Sequence, residues 1–272
     1  MERIDVETVI RQKYKGYIPR FIFRWLEKLI CQDEFNRMNQ LEYEGGGIGA
    51  AETFLKYLNI TSEVVGQARL PDKNSRTLFV GNHPLGGMDG LILTHILGKK
   101  YGKIKLLVND VLLNLHQFND VFVPINKYNT PSRTQMKLIS EILESDTQVL
   151  MFPAGLCSRM NEKKQVRDLA WNISFIKMAK RSGRNILPIF FEGENSKKFY
   201  RWARIREKLK IKFNYELILL PSEFINARCK HFKVIVGEKI LHKNLPARKD
   251  MRAFAEKLKN SLYEFPQKYG NK

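Results

Sequence analysis

From residue 62 onward, short apolar runs alternate with longer segments of helical period. Stretches 77–80 (TLFV), 104–108 (IKLLV), 121–125 (VFVPI), 149–152 (VLMF), 186–191 (ILPIFF) and 232–236 (FKVIV) have the length and composition of strands. Segments 88–97, 131–144 and 168–182 between them have helical length and periodicity. This alternation specifies an α/β fold with a largely parallel central sheet flanked by helices. Ligands in such sheets bind where loops leave the carboxyl ends of strands, so those loops are where chemistry is to be sought.

The loop after the first of these strands is the most informative. In TLFVGNHPLGGMDGLIL an apolar strand ends at Gly81, followed by Asn82, His83, Pro84, the pair Gly86 and Gly87, Asp89 and then a helix. A histidine on a tight loop at a strand end is poised to exchange protons near neutral pH. Asp89 can curl back to that imidazole across the two glycines, fix its tautomer and stabilise the imidazolium. The plainer alternative is a helix-capping aspartate beside a loop histidine tied to backbone. The company these residues keep, between a buried strand and a helix, favours the catalytic pair.

Residues 1–60 read as a helical N-terminal segment ahead of one α/β unit over residues 61–272. Within it, IPRFIFRWLEKLI (residues 18–30) spaces Arg20, Arg24 and Lys28 four apart, beside Phe21, Trp25 and Leu29. Such a helix either packs on the core or lies in a membrane interface. The glycines of GGGIGAAETFL (residues 45–55) follow no convincing strand, so they read as a loop before a helix and not as a dinucleotide fingerprint.

Charge narrows the partners. Lys and Arg number 47 against 28 Asp and Glu, a net +19. That surface favours anionic lipid, acidic carrier proteins or nucleic acid. The start, MERIDVETVIRQKYKG, lacks the apolar core of a secretory signal. No apolar run is long enough to span a bilayer, so membrane contact is expected to be peripheral, at the cytoplasmic face. Cys31, Cys157 and Cys229 are odd in number and widely spaced, which suggests reduced thiols. No ligand spacing points to a metal.

The Asn-His…Asp loop resembles the first motif of the glycerolipid (lysophosphatidate-type) acyltransferase superfamily. Five residues separate His83 from Asp89 where the family has four, an insertion that Gly86 and Gly87 can absorb. Three further blocks carry the resemblance. VFVPINKYN (residues 121–129) is similar to the second block, and Lys127 is its candidate phosphate or headgroup contact. MFPAGLCSRM (residues 151–160) is similar to the third, with Ala154 replacing the usual glutamate. There Gly155 can bring backbone N–H groups to an oxyanion, and Ser158 and Arg159 can meet an acceptor headgroup. NILPIFFEGENSKKFYRW (residues 185–202) is similar to the fourth. Its Asn195 and Ser196 either bind that headgroup or cap the following helix. The Glu-Asn-Ser tail and Phe-Pro-Ala-Gly block resemble the haemolysin-like branch, which includes the O-acyltransferases of ornithine and glycine lipids.

The resemblance implies direct transfer of an acyl group from acyl carrier protein or coenzyme A to the hydroxyl of a lyso-lipid, with no cofactor. The acceptor it implies is a monoacylated aminolipid, or alternatively a 1-acylglycerol-3-phosphate. The dense cations of residues 196–212 suit anionic lipid or an acidic carrier. Two other classes compete. A nucleic-acid-binding protein explains the charge but not the His-Asp loop. A lipid hydrolase requires an activated nucleophile; Cys157 is the nearest thiol, but no motif ties a second histidine to it.

Overall fold

The computed structural model describes residues 5–109, 115–125 and 133–270. Helices α1 (Val6–Lys13), α2 (Arg20–Leu29), α3 (Gln32–Asn39) and α4 (Gly46–Tyr57) precede the first strand, β1 (Thr61–Val65). There follow β2 (Thr77–Gly81), α5 (Met88–Tyr101), β3 (Ile104–Val108), β4 (Phe122–Pro124), α6 (Arg133–Glu144) and β5 (Gln148–Met151). Next come the short strands β6 (Arg159–Met160) and β7 (Val166–Arg167), then α7 (Ser174–Ser182) and β8 (Asn185–Phe191). The chain ends with α8 (Lys197–Lys208), α9 (Leu220–Asn226), β9 (His231–Val236), α10 (Met251–Leu262) and α11 (Phe265–Tyr269).

Seven strands form one sheet in the order β1-β9-β8-β2-β5-β3-β4, and β6 pairs with β7 separately. Every pair in the large sheet is parallel except β8 with β9. Period-two alternation loads both faces. Leu78 and Val80 of β2, with Val149 and Met151 of β5, join one apolar cluster with Phe175, Ile176 and Ala179 of α7 and Ala255, Leu258 and Leu262 of α10. Phe79 and Leu150 point the other way, to Ala50, Ala51 and Phe54 of α4 and Ile92 and Leu97 of α5. Helix α4 thus shares a core with the sheet, and Met38 of α3 is fully buried in the same cluster.

Two readings change. Strand β1 was not anticipated; its sequence, TSEVV, carries Glu63, and it pairs only at the sheet edge with β9. The helix expected over 168–182 starts at Ser174, because residues 168–173 form a loop that turns its polar groups toward the His83 loop. Lys127 lies outside the described residues.

Because β2, β5 and β8 are mutually parallel, their carboxyl ends open on one sheet edge. His83 follows β2, Phe152 and Gly155 follow β5, and Asn195 follows β8. That is the crevice in which open α/β sheets hold ligands.

Candidate active site

Asn82 extends the β2–β8 ladder by one rung. Its Nδ2 donates to the Phe191 carbonyl at 2.9 Å, and the Phe191 N–H donates to its Oδ1 at 2.7 Å. This clamp fixes where the chain leaves the sheet, and His83 is the next residue. The loop then turns at Gly86, whose φ of +75° is left-handed. A Cβ at Gly86 would come within 3.0 Å of Leu220 and 3.1 Å of the Cys157 Cβ. With five intervening residues the contact still forms: His83 Nδ1 lies 3.0 Å from Asp89 Oδ2.

Asp89, at the start of α5, is completely buried. Its carboxylate also accepts from the N–H groups of Leu85 at 3.0 Å and Gly90 at 2.8 Å. It therefore satisfies a free N–H in the first turn of α5 and holds the imidazole at once. With Nδ1 engaged, Nε2 is the nitrogen left for a substrate. The His83 side chain keeps 17% exposure, so the ring is held but not sealed.

Electrostatics favour the charged pair. Burial alone disfavours the imidazolium; the charge and hydrogen bond of Asp89, with the charge of Asp168, outweigh it and raise the His83 pKa above the ordinary histidine value. Burial likewise disfavours the Asp89 carboxylate. The nearby imidazole and the two N–H donors reverse that and hold its pKa below the ordinary range. A histidine held in this way is suited to accept a proton and to be stabilised once it has done so.

Asp168 is a second buried carboxylate that sequence reasoning missed. Its Oδ1 accepts from the His83 N–H at 3.1 Å and from Ser158 Oγ at 2.6 Å, and its Oδ2 accepts from Trp171 Nε1 at 2.8 Å. Its own N–H donates to the Tyr263 hydroxyl at 2.7 Å. Burial pushes its pKa upward, against these donors. One residue thus ties the histidine loop, the third block and the end of α10 together. The signal was present at Asn172: its Oδ1 accepts from the Ser174 N–H at 2.8 Å and marks the true helix start, leaving Asp168 in a loop.

Phe152 stacks on the imidazole, with centroids 4.3 Å apart and planes 17° from parallel. The same ring forms part of the wall of a cavity of about 870 Å³, whose apolar lining includes Leu107, Met136, Ile139, Leu143 and Trp171. The cavity lies between α6 and α7 and within the size range of ligand pockets.

The sequence model of the acyltransferase family matches residues 9–268. The chain belongs to the acyltransferase family. Its relatives include proteins named lyso-glycine lipid O-acyltransferase. The one from Phocaeicola vulgatus is 37% identical over 266 residues, covering 96% of this chain and 94% of the relative. The one from Bacteroides thetaiotaomicron is 38% identical, covering 96% and 97%. These relatives fall in the aminolipid branch that the motifs resembled. Among solved structures, the 1-acyl-sn-glycerophosphate acyltransferase PlsC from Thermotoga maritima aligns over 95% of this chain and 88% of its own, with a TM-score of 0.49 and 14% identity.

In this acyltransferase several side chains expected to face substrate are occupied within the protein. Arg159 is buried, donates to Glu216 at 2.7 Å and to the Cys157 carbonyl at 2.7 Å, and lies over the Phe199 ring. Its fork meets Glu216 in place of a headgroup. Ser158 is buried against Asp168, and its N–H donates to the His83 carbonyl at 2.8 Å. The Gly155 N–H donates to the Phe152 carbonyl at 2.9 Å, closing a turn. Asn195 is buried and donates to the Pro84 carbonyl at 3.2 Å. Ser196 caps α8 through the Phe199 N–H and bonds Glu223. Gly87 lines the loop beside Phe224. Cys157 is buried, and burial pushes its thiol up to about 11. Among the described residues no cluster of His, Cys, Asp or Glu is arranged to hold a metal ion, and no helix is long and apolar enough to cross a membrane.

Proposed function

We propose that this acyltransferase moves a fatty acyl group from a thioester on acyl carrier protein or coenzyme A to the hydroxyl of a lyso-glycine lipid or a close monoacylated aminolipid. His83 Nε2 takes the proton of that hydroxyl. The oxygen attacks the thioester carbonyl, and the tetrahedral intermediate collapses with release of the thiol, which carries away the proton from His83. Asp89 steadies the imidazolium. The apolar cavity beside Phe152 receives the acyl chain. No cofactor enters the scheme.

The observation that carries the chemistry is the 3.0 Å contact between Asp89 and a histidine that stays partly open. The acceptor rests on the relatives' names. They favour the aminolipid over 1-acylglycerol-3-phosphate. Membrane contact at the cytoplasmic face would start at the N-terminal helices, where Tyr17, Phe21 and Trp25 are 90%, 70% and 52% exposed beside Arg20 and Arg24.

The test is transfer from acyl carrier protein and from coenzyme A thioesters to lyso-glycine lipid, with 1-acylglycerol-3-phosphate as competitor, together with lipid extracts of cells lacking the gene. Wild type restores the diacylated aminolipid and His83→Ala does not. Full restoration by His83→Ala refutes the mechanism.

A further inference from the structure

We infer that the end of α8 and the turn after it form a second contact with anionic membrane, separate from α2 and leading to the catalytic loop. This rests on the reading of the acceptor as a membrane lipid. Residues 208–213 read Lys-Leu-Lys-Ile-Lys-Phe, and all six are exposed. Phe213 is 77% exposed and Leu209 is 64% exposed, which is uncommon for large apolar side chains of a folded domain. Four further cations on α8 (Lys197, Lys198, Arg201 and Arg204) are exposed, and Glu207 is the one exposed acid between residues 196 and 219.

Charge complementarity names the occupant. Lysine side chains carry their charge at the tip of a long apolar stem, so the ammonium groups can stay among lipid phosphates while Leu209, Ile211 and Phe213 enter the acyl boundary. An acidic protein would answer the lysines and leave the interleaved apolar side chains without a reason. The position fits delivery of a lipid. At the start of α8, Asn195 bonds the Pro84 carbonyl of the catalytic loop, and Leu220 beyond the turn packs beside Gly86. Phe199 and Tyr200 of α8 share an apolar cluster with Leu29 of α2, so the two helices pack on one core.

The test uses the full chain and vesicles of phosphatidylcholine with or without about one-third phosphatidylglycerol. Leu209→Ser with Phe213→Ser is expected to weaken binding to the anionic vesicles about tenfold or more, since burying such side chains contributes on that scale. Lys208→Gln, Lys210→Gln and Lys212→Gln together weaken it about a hundredfold at low salt, and the loss shrinks as salt is added. Both variants lose transfer to acceptor embedded in vesicles and keep wild-type turnover on a short-chain, water-soluble acceptor. Unchanged vesicle binding overturns the inference. So does unchanged vesicle binding with raised KM for acyl carrier protein, which assigns the surface to the carrier. Absence of turnover by wild type on both soluble and vesicle-embedded acceptors defeats the acyltransfer reading instead, and leaves the binding comparison valid.

Discussion

Replacing Asp89 by Asn isolates the claim that a buried charge makes His83 a base. The residue is fully buried and cannot touch substrate, so the change acts only through its partners. The carboxylate accepts from three donors: His83 Nδ1–H and the N–H groups of Leu85 and Gly90. An amide has one acceptor oxygen. If that oxygen faces Gly90, its NH2 faces Leu85 and His83, and the imidazole must turn to the tautomer with its proton on Nε2. That tautomer cannot accept the acceptor's proton. If the oxygen faces His83, the NH2 opposes the Gly90 N–H, and the imidazolium still loses its charged partner. A hydrogen bond to an ionised group is worth about 1.5–3 kcal/mol, and a general base about 10²- to 10⁴-fold in rate. We therefore expect kcat to fall by about 10²- to 10⁴-fold with KM within about threefold of wild type. The pH profile gives a second readout. The base works when neutral, so kcat/KM rises with pH through the His83 pKa, which Asp89 raises. Without that charge, burial is opposed chiefly by the charge of Asp168, so the pKa falls and the acid limb moves to lower pH. The assay is steady-state transfer across pH, with thermal unfolding to show that the variant is folded. A folded Asp89→Asn enzyme within about threefold of wild-type kcat, or with an unmoved acid limb, refutes the reasoning.

Gly86→Ala meets a left-handed backbone and two close neighbours, so it is expected to cost about 1–2 kcal/mol in urea unfolding and to lower kcat. Gly87→Ala has its nearest neighbour at an ordinary 3.5 Å from Phe224 and is expected to be mild; equal effects contradict the loop geometry. Asp168→Ala strands donors on His83, Ser158 and Trp171, each worth about 1–3 kcal/mol when left unpaired, and denaturant unfolding should show a loss of several kcal/mol. Cys157, with its thiol pushed up to about 11, stays protonated near neutral pH; iodoacetamide at neutral pH leaves it unlabelled and Cys157→Ala keeps activity, whereas inactivation through this residue would favour a covalent hydrolase mechanism. Arg184 is fully buried and donates to the carbonyls of Leu143, Ile142 and Ser145 at the end of α6 and of Thr77 at the start of β2; Arg184→Leu is expected to lower the unfolding free energy by several kcal/mol with little effect on KM.

The sequence by itself determined the architecture and the His83–Asp89 contact. Apolar runs of strand length separated by helical periods admit few arrangements, and six of the seven strands of the main sheet were legible from them. His83 and Asp89 were legible because they lie six positions apart across glycines, a separation at which local turn geometry can close the contact. Tertiary structure decided what depends on partners distant in sequence. Strand β1 exists because β9, some 170 residues later, offers it an edge. Asp168 joins the site because parallel packing of β2 and β5 brings its loop beneath His83. Arg159, which a motif alone casts as a headgroup ligand, is claimed by Glu216, 57 residues onward. A buried charge must find a partner wherever the fold supplies one, and that choice is made by packing and not by local sequence.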